Sequence, residues 1–399
     1  MRKLRTVIAL YMAGLVSCQV AELRRKSWLL ALPICMGLTM PVARATADAR
    51  VGEFSIPSVS PLTDVQLGRL RRLVAEHPEA WELGAAIKQA AVPLLAARPN
   101  PLEVIHYEGL VNTDPRRIAT VAQLREMGDI ARLVRYWQIS SDPKAAETIL
   151  RFITAWTQTY RLTGNDVNEN KFYPLLVAWY SLRTSVAEVD RRPVDNWVRR
   201  LGELHHEAVR DSTHFTNRYS KHVRLLAICG MILDRAEWRE SAHAGIKRFV
   251  RHSLFEDGTS RDLKRRDTLT YHCSSLKPPL ELAMLAGDKG KALYAWTSPQ
   301  GGSIQKSVQY VVPFALGQKT RREWVNSKVG LDHRRAATGL EHYRPGTLYD
   351  PHNALELMEK AAYFEPNLMR VVLHLSEGDA KRFPSWQTLI NAAVRKGQN

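Results

Sequence analysis

Apolar residues recur at helical spacing along nearly the whole chain from residue 66 onward. Ile118, Val121, Leu124, Met127, Ile130 and Leu133 follow one another every three residues. Ile149, Leu150, Ile153, Trp156 and Tyr160 continue at three-to-four spacing, then Leu175, Leu176, Trp179, Tyr180 and Leu182. Trp197, Val198, Leu201 and Leu204 repeat the pattern, as do Val223, Leu226 and Leu233. Such stripes turn one face of each helix toward a core. Ser141-Asp142-Pro143, Thr163-Gly164-Asn165-Asp166, Arg192-Pro193, Glu256-Asp257-Gly258 and Gly301-Gly302 read as breaks between helices. Strand-like alternation is scarce, and Val308 to Val312 is its best stretch. About ten to fourteen helices, short loops and no fixed-period repeat predict an all-α fold of antiparallel helix pairs. Pairs of this kind fit an (α/α) toroid or incomplete barrel, with loops at one rim lining a groove. One domain is expected over 66–399, preceded by an aperiodic arm or linker at 48–65.

Residues 1–47 read as export information, in two tandem signals. Arg2, Lys3 and Arg5 precede a short apolar run and Leu15-Val16-Ser17-Cys18, which resembles a lipoprotein box. Arg24-Arg25-Lys26 precede the apolar run Trp28 to Met40 and the small residues Ala43, Ala45 and Ala47. The second signal is the expected one, giving a periplasmic or secreted protein, with a lipid anchor at Cys18 as the alternative. No run approaches the ~18 apolar residues of a spanning helix, so no membrane span is expected.

Charge then narrows the partners. The whole chain has 57 Lys+Arg against 40 Asp+Glu, a net charge of +17. Without residues 1–45 it has 50 bases against 39 acids, a net charge of +11. A basic exported protein is expected to meet an acidic polysaccharide, not nucleic acid. Of four cysteines, Cys229 and Cys273 lie after the signal, in apolar helical surroundings that predict buried free thiols. A monomer is expected.

Three segments hold more polar residues than a surface needs. Thr163 to Lys171 includes Asn165, Asn168 and Asn170; one Asn caps a helix, and further amides suit sugar hydroxyls. Asn217 to His222 sets Arg218 and His222, and likewise Asn217 and Lys221, one turn apart at a helix start, a carboxylate receptor in outline. Lys264-Arg265-Arg266 precede Tyr271 and His272; cations near a phenol favour proton transfer by its oxygen. In a polymer of uronic acids, the C5 proton becomes removable once the neighbouring carboxylate is neutralised and the developing charge is held. Asn, Arg, His and Tyr are the residue types for that chemistry, and it requires no metal or other cofactor. No GxSxG, P-loop, GxGxxG or HExxH motif is present.

His106-Tyr107-Glu108-Gly109 with Thr113-Asp114-Pro115, then Thr163 to Lys171, Asn217 to His222, Arg266 to His272, Ser307 to Pro313 and Glu323 to Asn326, occur in an order that resembles the alginate lyase superfamily of polysaccharide lyases. The likeness runs over most of the chain. It implies an (α/α) toroid that cleaves an acidic polysaccharide by β-elimination in the periplasm or outside the cell. Asn217 and Arg266 would neutralise the carboxylate, and Tyr271, with His222, would move protons. Arg218, Lys221, Asn168, Asn170, Lys171, His106, Tyr107, Arg265 and His272 would bind substrate. Lys264, Arg265 and Arg266 compete for one role. Characterised alginate lyases carry His directly after the Asn, where this chain has Arg218. Either His222 takes that role, Tyr271 makes both proton transfers, or the substrate differs from alginate. A non-catalytic polysaccharide-binding protein of export and a glycoside hydrolase with paired carboxylates are the alternatives.

Overall fold

Described in a computed structural model are residues 56–376 and 381–395; the export signals and Cys18 lie outside them. In chain order the helices are α1 (Asp64–Glu76), α2 (Pro78–Ala91), α3 (Pro115–Ser140), α4 (Pro143–Thr159), α5 (Asp166–Glu169), α6 (Tyr173–Leu182), α7 (Glu188–Asp211), α8 (Asn217–Ile232) and α9 (Ala236–Ser253). They continue as α10 (Arg261–Arg266), α11 (Leu269–Leu285), α12 (Asp288–Ala295), α13 (Ile304–Ala315), α14 (Gly330–Ala337), α15 (Leu355–Ala361), α16 (Met369–Leu375) and α17 (Trp386–Val394).

Short polar side chains write the starts. Asp114 and Asp142 each accept an N–H at the head of α3 and α4, with proline at the first helical position, where no N–H is needed. Thr216, Ser260, Thr268 and Ser303 do the same for α8, α10, α11 and α13. Two local expectations are corrected. Val308 to Val312 is helical, because Ile304, Val308, Val311 and Ala315 form one buried face of α13; five residues were too few to separate a period of two from 3.6. Pro193 lies inside α7 near its start and gives up a backbone bond without ending the helix.

The helices form the (α/α) toroid that the pattern predicts. Helices α3, α6, α8, α11, α15 and α17 pack each against the next, and α1 joins α17 back to α3. Around this ring, α2, α4, α7, α9 and α13 form a second layer. Trp156, Trp179 and Trp238 are fully buried between the layers, and Gly202 of α7 lets Trp238 approach the helix backbone. The arm ahead of α1 is tied to the ring closure: Arg135 Nε donates to Ser58 O at 2.7 Å, and Ser58 Oγ donates to Gln387 Oε1 at 2.9 Å. Cys229 and Cys273 are buried free thiols, as expected.

Inside the ring, charge is paired. Arg224 of α8 meets Glu281 of α11 at 2.6 Å, and Lys360 of α15 meets Glu281 and Glu356 at 3.3 Å. Lys277 closes the chain on Glu356. Burial pushes the Glu356 carboxyl up, but Lys277 and Lys360 outweigh it and hold it well below the usual range. Among the described residues, no helix is long and apolar enough to cross a membrane.

Candidate active site

The segments that enter α3, α8, α11 and α15 meet at one rim. Arg218 at the head of α8 reaches Glu108 ahead of α3 and Asp166 ahead of α6. The Asn217 N–H donates to Asp262 of α10 at 2.7 Å, and Asn353 ahead of α15 reaches Thr270 at the head of α11. Helix N-termini carry partial positive charge, so this rim favours an anion.

Tyr271 is the best-supported side chain there. The Arg266 guanidinium lies 3.5 Å from the centre of its ring. Arg335 Nη1 donates to the Tyr271 hydroxyl at 3.1 Å and to the Tyr343 hydroxyl at 2.6 Å. Trp324 packs edge-on against the Tyr271 ring. Arg266 is in turn held by Asp332, whose Oδ2 accepts from Arg266 Nε at 3.1 Å and from Ser327 Oγ at 2.7 Å. The head of α11 is fixed by buried Glu323, which accepts from Thr268 Oγ1, Thr270 Oγ1 and the Leu269 N–H. Asp267 and Trp324 both adopt left-handed backbone beside Tyr271, a strained pair that the Trp324 N–H to Asp267 O bond locks at 2.8 Å.

Asn217 is buried, and its amide makes no side-chain hydrogen bond among the described residues. Asp262 joins it electrostatically to the basic run. Burial pushes the Asp262 carboxyl up to about 6, against the Asn217 N–H and the charges of Arg266, Lys221 and Arg265. Arg265 and Lys264 face a cleft that Arg266 does not line. With Arg261, Lys328, Phe215 and Phe255 they line an open cleft of about 580 Å³ that begins beside Thr216. Arg265 and Lys328 form no ion pair or side-chain hydrogen bond among the described residues.

His222 belongs to a cluster with His205 and Asp166. Its Nδ1 lies 2.7 Å from His205 Nδ1, and its Nε2 lies 3.8 Å from Asp166 Oδ1. His205 Nε2 is 3.0 Å from Glu169 Oε2, an ion-pair distance without hydrogen-bond alignment. Burial first, and then His205, push the His222 imidazole down to about 4, so it is neutral near pH 7. Arg218 covers this cluster through Asp166 at 2.7 Å and Glu108 at 3.2 Å.

The other predicted residues divide between the rim and its supports. Asn168 donates to Ile105 O and accepts from the Glu108 N–H, both at 3.0 Å, which fixes the 105–108 loop. Tyr107 is buried under Arg117 and Lys171, while His106 is exposed. Asn170 accepts from Arg224. His272 is fully buried between Ser260 Oγ at 2.8 Å and Ser307 O at 3.0 Å, and burial pushes its imidazole down to about 4. Asp166, Glu169, Glu108, Glu323 and Trp324 lie in segments that the sequence marked, though without a role of their own. His205, Asp262, Asp332, Arg335 and Tyr343 lie outside every marked segment. No group of three or more His, Cys, Asp or Glu side chains is set to hold a metal among the described residues.

Fold and family match together make this chain an enzyme of the polysaccharide lyase class. Residues 79–321 match the alginate lyase family model, and the chain belongs to that family. Its fold is similar to alginate lyase A1-III from Sphingomonas species A1, with a TM-score of 0.52 at 15% identity over 75% of this chain and 87% of that one. It is similarly close to a histidine-to-alanine variant of that enzyme complexed with tetrasaccharide (TM-score 0.54, 15% identity, 75% and 86% covered). A tyrosine-to-phenylalanine variant, also complexed with tetrasaccharide, gives a TM-score of 0.54 at 17% identity, covering 76% of this chain and 86% of that chain. No curated protein matches the sequence.

Proposed function

We propose that this polysaccharide lyase cleaves an acidic, uronate-containing polysaccharide such as alginate by β-elimination after export from the cytoplasm. The observation that carries the reading is Tyr271, with Arg266 against its ring and Arg335 donating to its oxygen. Positive charge sits where a phenol would gain and lose a proton. The family match and the tetrasaccharide complexes of A1-III support a sugar polymer. The net charge of +11 without residues 1–45 supports an acidic one.

In this reading the amide of Asn217 and the bases beside it neutralise the uronate carboxylate. Arg266 is already committed to Asp332, so Arg265, in the open cleft, is the base best able to take a new anion. Neutralisation lets the C5–H bond break. Its electron pair forms the C4=C5 double bond as C4–O4 breaks, and O4 leaves with a proton from Tyr271. His222 lies behind Arg218 and Asp166, which favours Tyr271 as the group that makes both transfers. The basic, apolar and small-residue order of residues 24–47 supports export to the periplasm or beyond.

Incubating the mature protein with alginate and other polyuronates tests the reading by the ultraviolet absorbance of unsaturated ends. Tyr271→Phe is expected to remove turnover and retain binding of the polymer. Absence of unsaturated product on every polyuronate rejects the lyase reading of this substrate class. New reducing ends without that absorbance would indicate hydrolysis.

A further inference from the structure

We infer that Arg335 and Tyr343 are positioning residues of the elimination that together form a two-donor pocket for the Tyr271 phenolate, an inference that rests on Tyr271 being the proton-transfer group. Three polar atoms form a closed triangle. Arg335 Nη1 is 3.1 Å from Tyr271 Oη and 2.6 Å from Tyr343 Oη, and the two phenol oxygens are 3.5 Å apart. Arg335 and Tyr343 are buried, so water competes little for these contacts.

The logic follows from which atoms can donate. A guanidinium only donates, so both phenol oxygens accept from Arg335. When Tyr271 is a phenolate, Tyr343 O–H supplies a second donor to the same oxygen. When Tyr271 is protonated, its own O–H is free to turn toward the leaving sugar oxygen, and Arg335 remains bonded to Tyr343. One oxygen can therefore be held in both charge states with little movement of heavy atoms, which is the condition for preorganised stabilisation. In the step itself, the proton passes from C5 to Tyr271 Oη as the C5–H electron pair forms C4=C5 and expels O4. That proton then passes from Oη to O4, and the phenolate is restored. Nothing is oxidised or reduced, and neither Arg335 nor Tyr343 is consumed.

Other charges facing this phenol are fixed. Arg266 from α10 lies on its ring and is neutralised by Asp332 from α14; Glu323 is taken up by the head of α11, and His342 packs on the Tyr343 ring. Trp324 packs against both phenol rings and holds them in register. Arg335 and Tyr343 both lie beyond residue 321, where the family match ends. The hydrogen bonds to the phenol oxygen in this chain thus come from a segment outside the matched part, while Arg266, on the ring, lies inside it.

Arg335→Met, Arg335→Lys and Tyr343→Phe in the full mature chain test the inference by two readouts. Ultraviolet difference titration, with Tyr271→Phe as the reference that removes the component of interest, follows phenolate formation without any substrate. Arg335→Met is expected to move the Tyr271 component to higher pH, Tyr343→Phe to move it less, and Arg335→Lys to restore part of the shift. On any polyuronate that is turned over, Arg335→Met should lower kcat by roughly 10²–10³ with KM nearly unchanged, and should move the rising limb of the pH profile in the same direction. Folded variants whose Tyr271 titration stays at the wild-type position overturn the inference. If Arg335→Met does not fold, Arg335→Lys and Tyr343→Phe decide it by the same titration. Failure to turn over any polyuronate would count against the function, while the titration would still decide this pocket.

Discussion

Replacing Arg218 by Met removes the cation that covers Asp166 and leaves most of the side-chain bulk in place. Asp166 is fully buried, and Arg218 contacts its Oδ1 through Nε and Nη2, both at 2.7 Å. Its Oδ2 has no hydrogen-bond partner, and the His222 Nε2 that lies 3.8 Å from Oδ1 belongs to a neutral ring at pH 8. Breaking a buried pair from one side costs about 3–5 kcal/mol. Arg218 is half exposed, so solvent screening reduces the expected loss to about 2 kcal/mol at pH 8. The loss should shrink at lower pH. Arg218 and His205 disfavour the imidazolium of His222, whereas Asp166 favours it. Burial and His205 are the larger causes of the His222 depression, so removing Arg218 raises its folded-state pKa only part of the way from about 4. The variant's native state then binds more protons than the wild type's in the range just above pH 4, so its deficit narrows somewhat as pH falls toward 5 and below. Urea midpoints from pH 8 to pH 5 for wild type, Arg218→Met and Arg218→Met/Asp166→Asn measure this. The double variant should recover most of the loss, because it removes the buried charge as well. Arg218→His, which restores the residue type that alginate lyases carry there, should be nearly as unstable as Arg218→Met at pH 8. Equal midpoints for wild type and Arg218→Met at every pH would refute the reasoning.

Three further outcomes are expected. His272, with its pKa held down to about 4, contributes stability that is complete above its unfolded value near 6.5 and is lost as pH falls toward 4, by about 3 kcal/mol. His272→Gln should flatten that part of the urea midpoint against pH, and an unchanged slope would contradict the assignment. Arg265→Ala with Lys328→Ala should raise KM several-fold on a polyuronate, leave kcat nearly unchanged and weaken the salt dependence of KM; an unaltered KM would remove the cleft from substrate binding. Gly202→Ala would place a Cβ 2.1 Å from Trp238 Cζ3, so about 1–3 kcal/mol should be lost on thermal or urea unfolding, and a variant as stable as wild type would show that Trp238 can move.

The sequence by itself determined what depends on near neighbours. The stripe from Ile118 to Leu133 became one helix, and Asp114-Pro115, Asp142-Pro143 and Thr216 opened helices, because caps and periodicity act within a turn or two. The polar segments around 163–171, 217–222 and 264–272 were also legible, as residues too polar for the stripes that surround them. Which side chains meet was decided by the ring closure. Arg218 finds Asp166 at 52 residues' separation, Arg335 finds Tyr271 at 64, and Arg266 finds Asp332 at 66. Tyr271 and His272 are adjacent in the chain, yet one reaches the rim and the other is sealed between Ser260 and Ser307. Successive helical residues point about 100° apart, so adjacency carries no information about shared surroundings. Nothing local to Arg335 or Tyr343 marks them, since their partner exists only once α11 and the segment after α13 are packed together.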